Sequence, residues 1–257
     1  MSGSKPLILI TNDDGITAPG IKTLVKVMKL IGDVVVIAPD KPQSGMGHAI
    51  TMNHTIRIHK ENNHHVLEEY SSSGTPVDCV KLAVNKILKR KPDLCVSGIN
   101  HGSNLSISVI YSGTMSAAVE GAIEGIPSIG FSLCDHSIDA DFSACEKYVR
   151  SISLKVLENG LPDGCCLNVN IPALDADKIR GVEICRQTRG YWIEELDERT
   201  DPSGKPYFWL TGSFKNQEKD QKDTDVWAVD NGYVAIVPVH FDMTMNSAMG
   251  HLKKFNL

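Results

Sequence analysis

Short, continuously apolar runs alternate with stretches of helical periodicity through the first two thirds of the chain. This rhythm constrains the fold more than any other feature. "LILIT" (7–11) and "DVVVIAP" (33–39) have no polar face, as expected of strands buried on both sides of a parallel sheet. Between them Ile21, Leu24, Val25, Met28 and Ile31 recur at helical spacing. The alternation continues with a helix over 75–88, in which Thr75 is a good N-cap, Pro76 suits the first turn and Asp78 the third position. A strand over 92–98, a small-residue helix over 112–125 and a strand over 126–133 follow. A long amphipathic helix over 142–159 and strands over 165–172 and 181–188 complete it. "AITMNHTIRIHK" (49–60) and "HHVLEEYSSS" (64–73) break the rhythm and read as an antiparallel pair around "ENN".

The expected fold class is α/β, a Rossmann-like, doubly wound, mostly parallel sheet. The expected core spans 1–189. The extension over 190–257 carries a hairpin across "DPSGKP", a charged connector, a last core strand at 232–239 and a tail with little core pattern, read as an oligomerisation arm. Hydrophobic residues at 42% are enough for an ordinary core, and a net charge of −5 without a basic tract argues against a nucleic-acid polymer as partner. The opening "MSGSKPLILI" has one lysine and an apolar run too short for a leader or a membrane span. Seven cysteines, none spaced CxxC, read as free thiols in a reducing compartment. A cytoplasmic protein is the expectation.

In doubly wound sheets ligands sit beyond the carboxyl ends of the strands. Three segments qualify: "TNDDG" (11–15), "APDKPQSGMGHAIT" (38–51) and "SGINHGSNLSISVIYSGTMSAA" (97–118). A parallel sheet sends all three to one edge, where Asp13, Asp14, Ser44 and Asn100 can converge. Two carboxylates with a hydroxyl and an amide oxygen form a hard donor set suited to Mg²⁺ or Mn²⁺. A cation there would also relieve the repulsion between adjacent aspartates. A turn and helix-capping role for Asp13 and Asp14 before Pro19 is the competing account. "YSGT" (111–114) places Ser112 or Thr114 at a helix N-terminus, which suits phosphate; a plain capped helix explains the same residues. Neither a P-loop nor GxGxxG occurs. His48 and His101 lie beside this site as acid–base candidates, while His54, His59, His64 and His65 read as surface or packing residues.

Taken together, "NDDGITAPGI" (12–21), "APDKPQSGMGHAIT" (38–51), "SSGTPVDCV" (72–80), "VSGINHGSN" (96–104), "YSGTMSAAVEGAIEGIPSI" (111–129), "LNVNIP" (167–172) and "TDVWAVDNGYVAIVPV" (224–239) resemble, in order, the blocks of the SurE family. The resemblance covers nearly the whole chain, with 190–223 the least similar part. It implies a metal-dependent phosphomonoesterase acting on nucleoside 5'- and 3'-monophosphates, and it permits short polyphosphate. It implies one divalent cation held by Asp13, Asp14, Ser44 and Asn100. It further implies phosphate contacts from Asn104, Ser112, Gly113 and Thr114, with Asp13, Asp14 and Asn104 as the catalytic set. Homodimers or homotetramers with exchanged C-terminal arms are also implied. One departure stands out: Ser106 occupies a place where family members often carry glycine.

Three rival readings remain. A haloacid-dehalogenase-type phosphatase needs a nucleophilic aspartate where this chain has Asn12, and an amide cannot form an aspartyl phosphate. A non-catalytic nucleotide-binding sensor could use the same sheet, but would more naturally offer Lys or Arg than two acids. A metal-dependent glycosyltransferase acting on a sugar nucleotide is the third.

Overall fold

The computed structural model describes residues 5–137 and 139–255. Strand β1 (Leu7–Thr11) is buried throughout, and helix α1 (Pro19–Met28) starts on Pro19 and buries Ile21, Leu24, Val25 and Met28. Strands β2 (Asp33–Pro39), β3 (Ile58–Lys60) and β4 (Glu68–Ser72) follow. Helix α2 (Pro76–Leu82) opens with a reciprocal capping box between Thr75 and Asp78 and runs on as a π-helical turn over Ala83–Ile87. Next come β5 (Leu94–His101), α3 (Gly113–Ile123), β6 (Ser128–Cys134), α4 (Cys145–Asn159) and β7 (Cys165–Pro172). The C-terminal part holds β8 (Gly181–Ile184), β9 (Gly190–Thr200), β10 (Pro206–Asn216), α5 (Asp225–Asp230), β11 (Tyr233–His240) and α6 (Asn246–Leu252).

Nine strands form one sheet in the order β3-β4-β2-β1-β5-β6-β7-β11-β8. The run from β4 to β7 is wholly parallel, whereas β3 pairs antiparallel with β4 and β11 antiparallel with β7. Residues of α1 and α4 pack on one face with Ile8, Val36 and Phe131, and residues of α2 and α3 pack on the other with Leu9, Ile37 and Cys95. The expected doubly wound sheet is therefore present. Successive connections leave β1 in opposite directions, which puts the crevice between β1 and β5. β9 and β10 pair with each other as a separate ribbon, the expected hairpin.

Several element limits differ from the sequence reading. Of the strand expected over 49–60, only Ile58–Lys60 pairs. The rest is a loop whose backbone is held by buried side chains: Thr75 donates to the Ala49 carbonyl (2.7 Å), and Asp78 accepts from the Thr51 N–H (3.1 Å) and hydroxyl (2.6 Å). Strand β8 stops at Ile184, because Arg186 turns away to Asp223 and Glu218. α5 and α6 are short helices that the apolar pattern does not announce, and α6 buries nothing. The cysteines are free, and burial pushes the thiols of Cys79, Cys95 and Cys166 up to about 12, so these are inert packing residues.

Candidate active site

At the end of β1 the chain must turn sharply off the sheet. Gly15, at φ +96, makes that turn, and the Asn12 amide braces it by donating to the Gly15 carbonyl (2.8 Å). Asn12 is thus folded into the turn. Asp13 and Asp14 follow, one buried at 3% exposure and the other partly open.

Asp13 is received by the start of α3. The Thr114 hydroxyl donates to its Oδ1, and the N–H groups of Gly113 and Thr114 also face the carboxylate. Gly113 is required by this approach: a Cβ there would sit 2.7 Å from Asp13 Cβ and 2.8 Å from Oδ2. Burial pushes the Asp13 carboxyl above the usual range, and these hydrogen bonds pull back against it. Asp14 is raised to about 6, by burial first and the Asp13 charge second, and is steadied by the His101 N–H at 3.1 Å.

Asn100, at the end of β5, donates its Nδ2 to the Gly102 carbonyl (2.7 Å). That fixes the rotamer and leaves Oδ1 facing the same Thr114 hydroxyl that touches Asp13, at 3.3 Å. One hydroxyl therefore brings Asp13 and Asn100 together. Ser44 is exposed on the loop after β2, and the Gln43 N–H next to it donates to the Asp13 carbonyl (2.7 Å). Its loop is pinned again by the Gly47 N–H on the Tyr111 carbonyl (3.1 Å) and by His48 on Glu120 (2.9 Å). Among the described residues the Ser44 hydroxyl makes no hydrogen bond to Asp13, Asp14 or Asn100.

The donors offered are carboxylate, amide and hydroxyl oxygens, and among the described residues His101 is the ionisable group of basic type that weighs on Asp14. Two adjacent acids whose burial opposes their charged form fit a hard divalent cation. Among the described residues no cluster of three or more His, Cys, Asp or Glu side chains could hold a metal, so a metal bound here would also need neutral oxygens such as those of Asn100 and Ser44.

Of the residues expected to touch phosphate, Asn104 lies on the β6–β7 side, while Ser112, Gly113 and Thr114 form the start of α3 beside Asp13. Asn104 is buried; its N–H donates to Asn170 Oδ1 (2.8 Å), its carbonyl accepts from Asn168 Nδ2 (2.8 Å), and its own amide donates to Ser132 Oγ (2.8 Å). One N–H of that amide is left over. Ser112 caps α3 by accepting from the Met115 N–H (3.0 Å), which leaves its O–H free to donate. Thr114 is committed to Asp13 through its hydroxyl. Of the histidines, His101 turns its ring out to the Ser137 carbonyl and His48 turns its ring to Glu120; neither ring joins the aspartates. Ser132, Asn168 and Asn170 escape a reading of the sequence, since only the stacking of β6 and β7 beside β5 brings them to Asn104.

Fold and site together define an α/β protein of the doubly wound class with an acidic, oxygen-only centre at its switch point. The family model for survival protein SurE matches residues 8–194. The 5'-nucleotidase SurE of Flavobacterium psychrophilum is 59% identical over 255 residues, covering 99% of both chains. The protein of the same name from Bacteroides thetaiotaomicron is 48% identical over 256 residues, covering 100% of this chain and 97% of its own. The crystal structure of the SurE protein from Aquifex aeolicus superposes with a TM-score of 0.85 at 40% identity, covering 98% of this chain and 100% of that one. The chain belongs to the SurE family.

Proposed function

We propose that this chain is a metal-dependent nucleotidase, releasing phosphate from nucleoside 5'- and 3'-monophosphates at the β1/β5 crevice. The observation that carries the reading is the buried Asp13 and half-buried Asp14 at a strand end, beside the Asn100 oxygen and, among the described residues, without a Lys or Arg partner. The names borne by close relatives supply the substrate class.

Asp13, Asp14, Ser44 and Asn100 would hold the cation, Mg²⁺ or Mn²⁺ by the hardness of their oxygens. When bound, such a cation neutralises charge developing on the phosphoryl group and makes water more acidic. Asp13 is the fixed ligand, locked by α3. Asp14 is the more open carboxylate, so it is the group to orient the attacking water and take its proton. The spare Asn104 N–H and the free Ser112 hydroxyl lie on rigid supports and would donate to equatorial phosphoryl oxygens. Gly113 and Thr114 contribute by keeping the helix start against Asp13. Short polyphosphate fits the same donors.

A homodimer or homotetramer with exchanged C-terminal arms belongs to the same proposal. Its support is the apolar surface left open on the β9–β10 ribbon, where Leu196, Trp209 and Leu210 are exposed, together with Met243 and the unburied α6. A cytoplasmic location rests on the free cysteines. Among the described residues no helix is long and apolar enough to cross a membrane.

The test is Asp13→Ala. It should abolish metal-dependent phosphate release while circular dichroism stays native; retained turnover rejects the assignment.

A further inference from the structure

Ser106 stands in the left-handed region, at φ +52, a conformation that favours glycine. Two hydrogen bonds hold it there. Its N–H donates to Asp225 Oδ2 (2.8 Å), and its hydroxyl donates to the Thr188 carbonyl (2.7 Å). The second oxygen of Asp225 accepts from the Thr188 N–H (2.9 Å), the Thr188 hydroxyl (2.6 Å) and the Val226 N–H (2.8 Å). Ser106, Thr188 and Asp225 are all buried, at no more than 1% exposure. A carboxylate is thus sunk in the protein on four donors, three from two distant segments and one from its neighbour Val226.

A buried carboxylate held this way is costly to place and rigid once satisfied. Its position in the chain says what it makes rigid. Ser106 lies two residues after Asn104 and six before Ser112, the two groups placed on the phosphate side. Asn104 is anchored upstream by Asn168 and Asn170 of β7. Downstream, the segment returns to α3 through a short 3₁₀ turn over Ser106–Ile110. Asp225 grips the start of that turn. Thr188 stands two residues before β9, so the same carboxylate also ties the foot of the ribbon to the site.

We propose that Asp225, acting through Ser106 and Thr188, is a positioning residue for the phosphate-side groups Asn104 and Ser112. The C-terminal part of the chain thereby completes the site without touching substrate. The hydroxyl at 106 supplies a link to Thr188 that glycine there could not make. This inference rests on the phosphate role proposed above for Asn104 and Ser112.

The experiment compares wild type, Asp225→Asn, Thr188→Val and Thr188→Ser. Calorimetry follows inorganic phosphate binding to the Mn²⁺-loaded protein and, separately, Mn²⁺ binding alone. Turnover of a nucleoside 5'-monophosphate gives kcat and KM, and thermal melts report folding. Asparagine must turn an NH₂ either toward the Ser106 N–H or toward the Thr188 and Val226 N–H groups, none of which can accept. Asp225→Asn should weaken phosphate binding by about tenfold, the scale of one misplaced hydrogen bond, and lower kcat, with Mn²⁺ binding unchanged. Thr188→Val should do the same to a smaller degree, and Thr188→Ser should restore wild-type phosphate binding. A folded Asp225→Asn protein with wild-type phosphate binding and kcat overturns the proposal. If Asp225→Asn does not fold, wild-type phosphate binding by Thr188→Val overturns it. An equal loss of phosphate and Mn²⁺ binding also overturns it, since that marks general loosening. If wild type binds phosphate and releases none from nucleotides, the nucleotidase reading fails while the positioning role is still decided by phosphate binding.

Discussion

Gly113 and Asp13 lie so close that no side chain fits between them: a Cβ on Gly113 would stand 2.7 Å from Asp13 Cβ. Alanine within a helix normally gains about 1 kcal/mol over glycine. Here it must push aside the carboxylate that α3 exists to receive. Gly113→Ala should therefore cost at least about 100-fold in kcat/KM, while the melting temperature moves by only a few degrees, as expected for a misplaced catalytic group in an intact fold. Steady-state kinetics beside a thermal melt checks this.

Asp14 gives a pH dependence with a definite sign. Its carboxyl rises from an ordinary 3.8 to about 6 in the folded protein, chiefly through burial. Between those values the folded state holds the proton more tightly than the unfolded chain, so metal-free stability falls as pH rises from about 4 to about 6. Above that window Asp14→Asn, which can keep accepting from the His101 N–H, should be more stable than wild type by about 3 kcal/mol without metal. The difference should vanish below pH 4. Urea melts in EDTA across that range measure it, and saturating Mn²⁺ should reverse the order at pH 7.5.

The Ser44 loop depends on a buried acid. Glu120, 2% exposed, accepts from His48 at 2.9 Å and Lys81 at 2.5 Å. Burial raises its carboxyl, yet these partners outweigh burial and leave it below the ordinary value. His48→Ala should loosen the loop and raise the Mn²⁺ concentration for half-maximal activity about fivefold, the scale of one lost hydrogen bond. Hydrogen exchange over 43–49 should rise in the metal-free protein, and His48→Gln should recover part of both effects. Unchanged metal demand and exchange would remove His48 from the positioning of Ser44.

Much of this architecture is legible in the residues. The continuous apolar runs of β1 and β2 announce a buried parallel sheet, and the Thr75–Pro76–Asp78 start of α2 announces its own cap. The convergence of Asp13 and Asn100 follows from strand ends alone. What escapes is held by side chains far apart in the chain. Residues 49–57 alternate like a strand, but Asp78 and Thr75 capture their backbone before a sheet can. Ser132, Asn168, Asn170 and Asp225 look like ordinary polar residues until β6, β7 and α5 bring them to the segment after Asn100. The departure at Ser106, visible in the sequence, shows its cost and its compensation only through φ and Thr188.

The central claim is that the two aspartates hold a cation that makes the site a nucleotidase. The most direct measurement strips the protein with EDTA, adds back Mg²⁺ or Mn²⁺ stepwise, and follows phosphate release from a panel of 5'- and 3'-nucleoside monophosphates for wild type and Asp13→Asn. The account predicts release by wild type that is absent in EDTA and saturates with metal, and none by Asp13→Asn at any concentration. Metal-independent release, or no release by wild type with either metal, would contradict it.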